Sequence, residues 1–182
     1  MEFQVGEKVI YPNQGIGVVE GVQARSTPEG PVDGYDLRIL ANDSRVWIPC
    51  AGAVAIGLRA IITVADARKL LGQLGDGAVD QSGNWKGRFK ENSDRMRTGD
   101  VFEVAEVLKG LASLSQKKAL SFREKRMLDR AKFLIVSEMA EAEGRPEAVV
   151  QESVEQALKK AFSPKPKPAR PAADAPSRPA NA

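Results

Sequence analysis

The sequence predicts an α+β multidomain chain in three parts. A small N-terminal SH3/Tudor-like β-barrel is expected over residues 1–60, a compact all-α helical domain over 61–162, and a disordered, basic Pro-rich tail over 163–182. Three observations carry this reading. Turn residues punctuate short β-prone runs through the first sixty positions. The apolar period then lengthens to that of a helix. The last twenty residues hold six of the eleven prolines and too little apolar surface to bury a core.

The predicted strands are Glu7–Tyr11, Gly17–Val22, Tyr35–Leu40, Arg45–Ile48 and a short one at Val54–Ile56. They are separated by Pro12-Asn13-Gln14-Gly15, a long loop over Ser26–Gly34, and Ala41-Asn42-Asp43, all rich in residues that permit turn geometry. So few short strands cannot build a two-sheet sandwich, and a strongly bent barrel is the economical solution. Such a barrel leaves edge backbone groups open to a partner strand.

Thr63-Val64-Ala65-Asp66 resembles a capping box and opens a helix to Leu74. Gly75–Gly83 reads as a polar loop, and Asn84 can cap a helix from Trp85 to Met96. Thr98–Ser113 carries Val101, Val104, Ala105, Leu108, Leu111 and Ala112 on one helical stripe. Ser121-Phe122-Arg123-Glu124 is a capping box, and its helix runs to Glu143 with Gly144 as the stop. Pro146 opens a last helix that buries Val150, Val154, Leu158 and Phe162.

Composition argues against an enzyme. The chain has no histidine, which removes Ser–His–Asp and Cys–His catalysis and every His-containing metal site. Its single cysteine, Cys50, reads as a small buried apolar residue. No Gly-Lys dipeptide is present to build a phosphate-cradling loop. Ser115-Gln116-Lys117-Lys118 matches S-x-x-K, but the elements that accompany that motif are missing. Glu138, Glu141, Glu143 and Glu147 read as solvated helix faces. No cofactor, metal or small-molecule ligand is therefore expected. With no long apolar run and no secretory leader, the expected location is cytoplasmic, without membrane contact.

The formal charge of +3 hides a segregation. Residues 1–50 net −3, residues 85–97 net +3, residues 117–132 net +5, and residues 138–155 net −5. Local basic zones on a neutral body suit local contact with a polyanion. They also fit solvated helix faces.

Asn84-Trp85-Lys86-Gly87-Arg88-Phe89-Lys90 is the most informative segment. On a helix Trp85, Arg88 and Phe89 share a face beside Lys86 and Lys90. Cations neutralise phosphates without reading sequence, and a flat side chain beside them can wedge against distorted base steps. The same spacing fits core aromatics under Lys and Arg stems. Arg25 and Arg45-Val46-Trp47-Ile48 form a second group. An exposed Trp near Arg is hot-spot composition, whereas a buried Trp47 would be barrel core.

Five segments in order resemble the CarD/CdnL family of bacterial RNA-polymerase-binding transcription regulators. They are Phe3–Gly17, Arg45–Pro49, Asn84–Lys90, Thr98–Leu108 and Leu120–Leu128, and the likeness covers residues 1–162. The resemblance implies a Tudor-like domain that binds the RNA polymerase β subunit, followed by a helical domain on promoter DNA. Trp85 falls at the family tryptophan that wedges into the minor groove at the upstream edge of the transcription bubble. Lys86 adjoins it, and Arg88 and Lys90 match the basic positions beside it. On the polymerase side Arg25 and Arg45 match basic positions of some members, and Trp47 stands where some carry Arg. The implied function is stabilisation of the open promoter complex, with little sequence specificity and a nucleoid association through polymerase. A stand-alone architectural DNA-binding protein is the alternative.

Overall fold

The computed structural model describes residues 3–28, 30–77 and 85–163; of Trp85 and Lys86 it describes the backbone only. Strands β1 (Lys8–Tyr11), β2 (Gly15–Thr27), β3 (Gly30–Ile39), β4 (Arg45–Pro49) and β5 (Arg59–Ala60) precede helices α1 (Val64–Gly75), α2 (Trp85–Arg97), α3 (Val101–Lys117), α4 (Phe122–Glu143) and α5 (Glu147–Phe162). This is the predicted α+β order.

The strands form one antiparallel sheet in the order β4-β3-β2-β1-β5. Side chains alternate across it with the strand period of two. Val9, Val19, Tyr35, Leu37 and Ile48 point inward and are buried together with Phe3, Ala53 and Leu58. The Tyr35 hydroxyl accepts the Phe3 backbone N–H at 3.2 Å, which satisfies the one polar atom that ring brings inside. Cys50 packs on the margin of this core, partly buried.

Three strand expectations need correction. The sheet does not close into a barrel, because β4 and β5 do not pair among the described residues. The chain between them fills the gap instead, sending Ala53 and Leu58 into the core. Val54–Ile56 is not a strand. A 3₁₀ turn at Cys50–Gly52 leads into backbone hydrogen bonds from Ile56 N to Gly52 O and from Leu58 N to Ala53 O, a winding that leaves Val54 and Ile56 exposed. Ser26–Gly34 is not a long loop either. The β2–β3 ladder runs out to Thr27 opposite Gly30, so the turn residues lie at the hairpin tip. Arg25 accordingly sits on a strand.

The helices begin and end close to their sequence signals. Thr63 Oγ1 accepts the Asp66 N–H at 3.1 Å at the start of α1. Both halves of the α4 capping box form, with Ser121 Oγ accepting Glu124 N–H and Glu124 Oε2 accepting Ser121 N–H at 2.7 Å. Gly144 closes α4 in the left-handed region, φ 62°. Helix α3 starts three residues later than expected. Gly99 has φ 79°, which a right-handed helix cannot include, and Asp100 becomes the cap by accepting Phe102 N–H at 2.8 Å.

Leu70, Leu74, Val104, Leu108, Ala131, Ile135, Val150 and Val154 lie in one helical core. Truncating a buried leucine such as Leu70 or Leu74 to Ala would cost about 2–5 kcal/mol. Of the expected α5 stripe, Leu158 packs at the edge of this core and Phe162 is half-buried. No helix among the described residues is long and apolar enough to cross a membrane. The predicted tail, beyond Ser163, lies outside the described residues.

Candidate nucleic-acid and partner-binding surfaces

The outer face of the sheet carries one candidate surface. Asp36 pairs with Trp47 across β3 and β4, and Gly34 lies two residues along the same face. The Trp47 indole covers Gly34 so closely that a Cβ there would fall 2.2 Å from the ring. Its Nε1–H donates to the Gln23 carbonyl at 3.2 Å. From the open side the Arg25 guanidinium stacks over the ring, 4.9 Å from its centroid, and reaches Asp36 at 3.5 Å. Trp47 is thus neither core nor free. It is a half-buried plate held from behind by glycine and capped by a cation.

Arg45, two residues before Trp47, shares that face and is exposed. Glu20 bridges Arg38 Nε at 2.6 Å and Arg45 Nε at 3.3 Å, and Asp43 also reaches Arg38. Arg38 is held more firmly protonated by its hydrogen bonds to Glu20 and then Asp43. The outer edge of β4 carries no further strand among the described residues. An unpaired edge next to a ready aromatic and two arginines can receive an extended partner segment.

The second candidate surface lies on the helices. The side chains of Trp85 and Lys86 fall outside the described residues. Arg88 and Phe89 are half-buried and Lys90 is exposed. Phe89 lines one wall of an open groove of about 870 Å³, and Arg97, from the far end of α2, lines it too. The opposite wall comes from α4, with Arg123, Arg126 and Arg130. Two sequence-distant basic zones therefore meet across a single groove. Hydrogen bonding with Ser121 lowers the pKa of Glu124 at the N-terminus of α4, and the charges of Lys118 and Arg88 add to this.

Phe122 stands at that N-terminus, 74% exposed, with the Arg126 guanidinium 5.7 Å from its ring centroid. Arg130 differs from the other arginines. It donates twice to the Asn13 carbonyl, at 3.0 and 2.5 Å, and lies over Phe133. Burial lowers its pKa. It ties the β1–β2 turn to α4.

Residues 3–62 match the family model for the CarD-like/TRCF RID domain, and residues 69–155 match that for the CarD C-terminal domain. The YdeB protein of Bacillus subtilis (strain 168), named as a candidate transcription factor, is 29% identical over 149 residues, which spans 82% of this chain and 97% of that one. The chain belongs to the CarD/CdnL family. That family is one of transcription regulators, not of enzymes. Among the described residues no group of three or more Cys, Asp or Glu side chains is placed to hold a metal ion.

Sequence reasoning missed three groups. The α4 groove arginines appeared only as a charge total, because their partner wall is some thirty residues away in sequence. Glu138, expected on a solvated face, is 3% exposed. Arg59 grips it with both terminal guanidinium nitrogens, Nη2 to Oε2 at 2.8 Å, and Ile62 N–H donates to Oε1 at 3.2 Å. A carboxylate with this many donors tolerates burial. Lys109 was also unremarked within the α3 stripe. It is 1% exposed and donates to Gln73 O at 2.9 Å and Asp76 Oδ1 at 2.7 Å, at the end of α1.

Proposed function

We propose that this transcription regulator binds RNA polymerase through its sheet, residues 1–60, and stabilises the open promoter complex through its helices, residues 61–162. Arg25, Arg45 and Trp47 contact the polymerase β subunit beside the free edge of β4. Trp85 wedges into the minor groove at the upstream fork, with Lys86, Arg88 and Lys90 on the flanking phosphates. The arginine groove continues that footprint along the DNA backbone.

The observation that carries this reading is the convergence of Arg97, at the end of α2, with the α4 arginines on one groove that Phe89 of α2 also lines. Four arginines and one aspartate, Asp129, line it. That is a phosphate-facing surface which carries little sequence information. The body of the protein is otherwise close to neutral, so its own DNA affinity is modest. Tethering to polymerase raises the local concentration enough for a modest contact to act. Preference for the melted form then shifts the closed–open equilibrium, and about 1.4 kcal/mol of preference changes the ratio tenfold.

The test is Trp85→Ala in the full chain. Polymerase affinity should hold while open-complex lifetime falls. An unchanged lifetime in a folded variant refutes the wedge. Tight, salt-sensitive binding to bare duplex without polymerase would favour the stand-alone architectural alternative.

A further inference from the structure

The proposed function needs two contacts made at once, one by the sheet and one by the helices. Their relative placement is set at the junction between the two parts. That junction is not a simple chain connection. The β1–β2 turn sits on α4: Arg130 donates twice to Asn13 O, and Gly15, φ 92°, leaves room for only 3.4 Å between a Cβ and the Phe133 ring. Lys8 on β1 reaches Glu141 at 2.6 Å.

The connection itself is held from both sides. Gly57, φ 93°, and Gly99, φ 79°, cross each other against Pro12. A Cβ on Gly57 would lie 2.8 Å from Pro12 Cγ and 3.0 Å from Thr98 O, and one on Gly99 would lie 3.0 Å from Gly57 O. Arg59 then spans the junction. Its Nε donates to Gly99 O at 2.7 Å, in the turn that joins α2 to α3, while its other two nitrogens hold buried Glu138 on α4. Glu138 in turn accepts Ile62 N–H from the start of the helical part.

From this we infer that Arg59 and Glu138 are a positioning pair. They lock the sheet against the α2–α3 turn, so that the partner-binding face and helix α2 keep one fixed separation and orientation. The inference rests on the proposed two-contact function. A flexible connection would hold the second contact at millimolar effective concentration at best, and a rigid one of the right geometry exceeds this. Arginine suits the role because its planar fork sets direction as well as distance. The pair touches neither candidate surface, and so acts only through placement.

The experiment uses the full chain with Arg59→Gln and Glu138→Gln together, which removes both charges at once and avoids leaving buried Glu138 ionised without its partner. Spin labels at Ser26→Cys and Glu152→Cys, in a Cys50→Ser background, report the separation of sheet and helices in the free protein. A single narrow distance peak is expected for the parent and a broadened one for the double variant. With unlabelled proteins, open-complex lifetime should fall about threefold or more while polymerase affinity stays within about twofold.

An unbroadened distance peak overturns the pair as a lock. A broadened peak with unchanged lifetime overturns its role in positioning. A fall in lifetime matched by an equal fall in polymerase affinity overturns it too, since the damage would then lie in the sheet. Should the double variant fail to fold, Arg59→Lys, which keeps a cation beside Glu138 but loses the two-pronged grip and the bond to Gly99 O, takes its place under the same outcomes. If Trp85→Ala leaves lifetime untouched, the functional reading fails instead, and the distance arm still judges the lock.

Discussion

Trp47 lies flat on Gly34, close enough that the first carbon of any side chain there would sit inside the indole. Gly34 is not in a left-handed conformation, so the position demands glycine for its missing side chain and not for its backbone. The ring has only two stable alternatives: against the sheet under Arg25, or out in solvent.

Gly34→Ala therefore expels the ring. The cost to stability should be about 1–3 kcal/mol, the usual penalty for overpacking. The Trp47 to Gln23 hydrogen bond and the Arg25 stack would be lost together. The fluorescence maximum of the indole should move to longer wavelength, and polymerase affinity should fall as far as it does for Trp47→Ala. Affinity equal to the parent's, with the ring displaced, would remove Trp47 from the binding surface.

Lys109 gives a second expectation. Its ammonium is buried where the last carbonyls of α1 point, and Gln73, Asp76 and Glu106 surround it. Lys109→Met keeps the volume of the stem and deletes the donor. Gln73 O and the acidic pair then lose their shared cation. Asp76 and Glu106 remain partly open to water, so the loss should be about 1–3 kcal/mol, below that for a fully buried charge pair. A urea titration at neutral pH measures it, and an unchanged midpoint would show that the site gains nothing from its charge.

Much of this was legible along the chain because it is local. Capping at Thr63 and Ser121, the stop at Gly144 and the apolar stripe of α3 each involve residues within a few positions. The Asn84–Lys90 segment was equally plain as a basic–aromatic run. What stayed hidden depends on distant pairs. Glu138 looked solvated because Arg59, its partner, is 79 positions away. Val54–Ile56 has strand composition but lies where the chain must turn back beneath the open sheet, and tertiary placement overrode propensity. The extension of β2 and β3 past Ser26 escaped notice because turn-forming residues there act only at the hairpin tip. The β1–β2 turn read as a connection, and nothing in Pro12-Asn13-Gln14-Gly15 discloses that α4 lies against it.

The capping box of α4 predicts a pH response. Hydrogen bonding with Ser121 holds the Glu124 carboxyl below its ordinary value of 4.5, with Lys118 and Arg88 adding attraction for the ionised form. A carboxyl depressed in the folded state contributes stability that is present above its unfolded pKa and is lost as pH falls through the folded one. The contribution should thus be full at neutral pH and decline below about pH 4.5. Glu155, lowered by Lys132 and then Gln151, acts in the same direction. Glu124→Gln should cost up to about 1 kcal/mol at pH 7 and progressively less in acid. Parallel stability curves from pH 7 to pH 3 would contradict this.

The groove arginines predict a salt signature. Arg97, Arg123 and Arg126 line the walls without the backbone clamp that occupies Arg130. Each phosphate neutralised releases counterions, so each arginine lost should flatten the dependence of log affinity on log salt by a little under one unit. Arg123→Gln and Arg126→Gln together should lower the slope by about two and weaken binding to fork-junction DNA alike across sequences. Polymerase affinity should not change, because the sheet is untouched. Arg130→Gln should behave differently, destabilising the protein through the loss of Asn13 while altering the salt slope little. A pair of groove variants that kept the full slope would take this surface out of DNA contact and leave α2 to act alone.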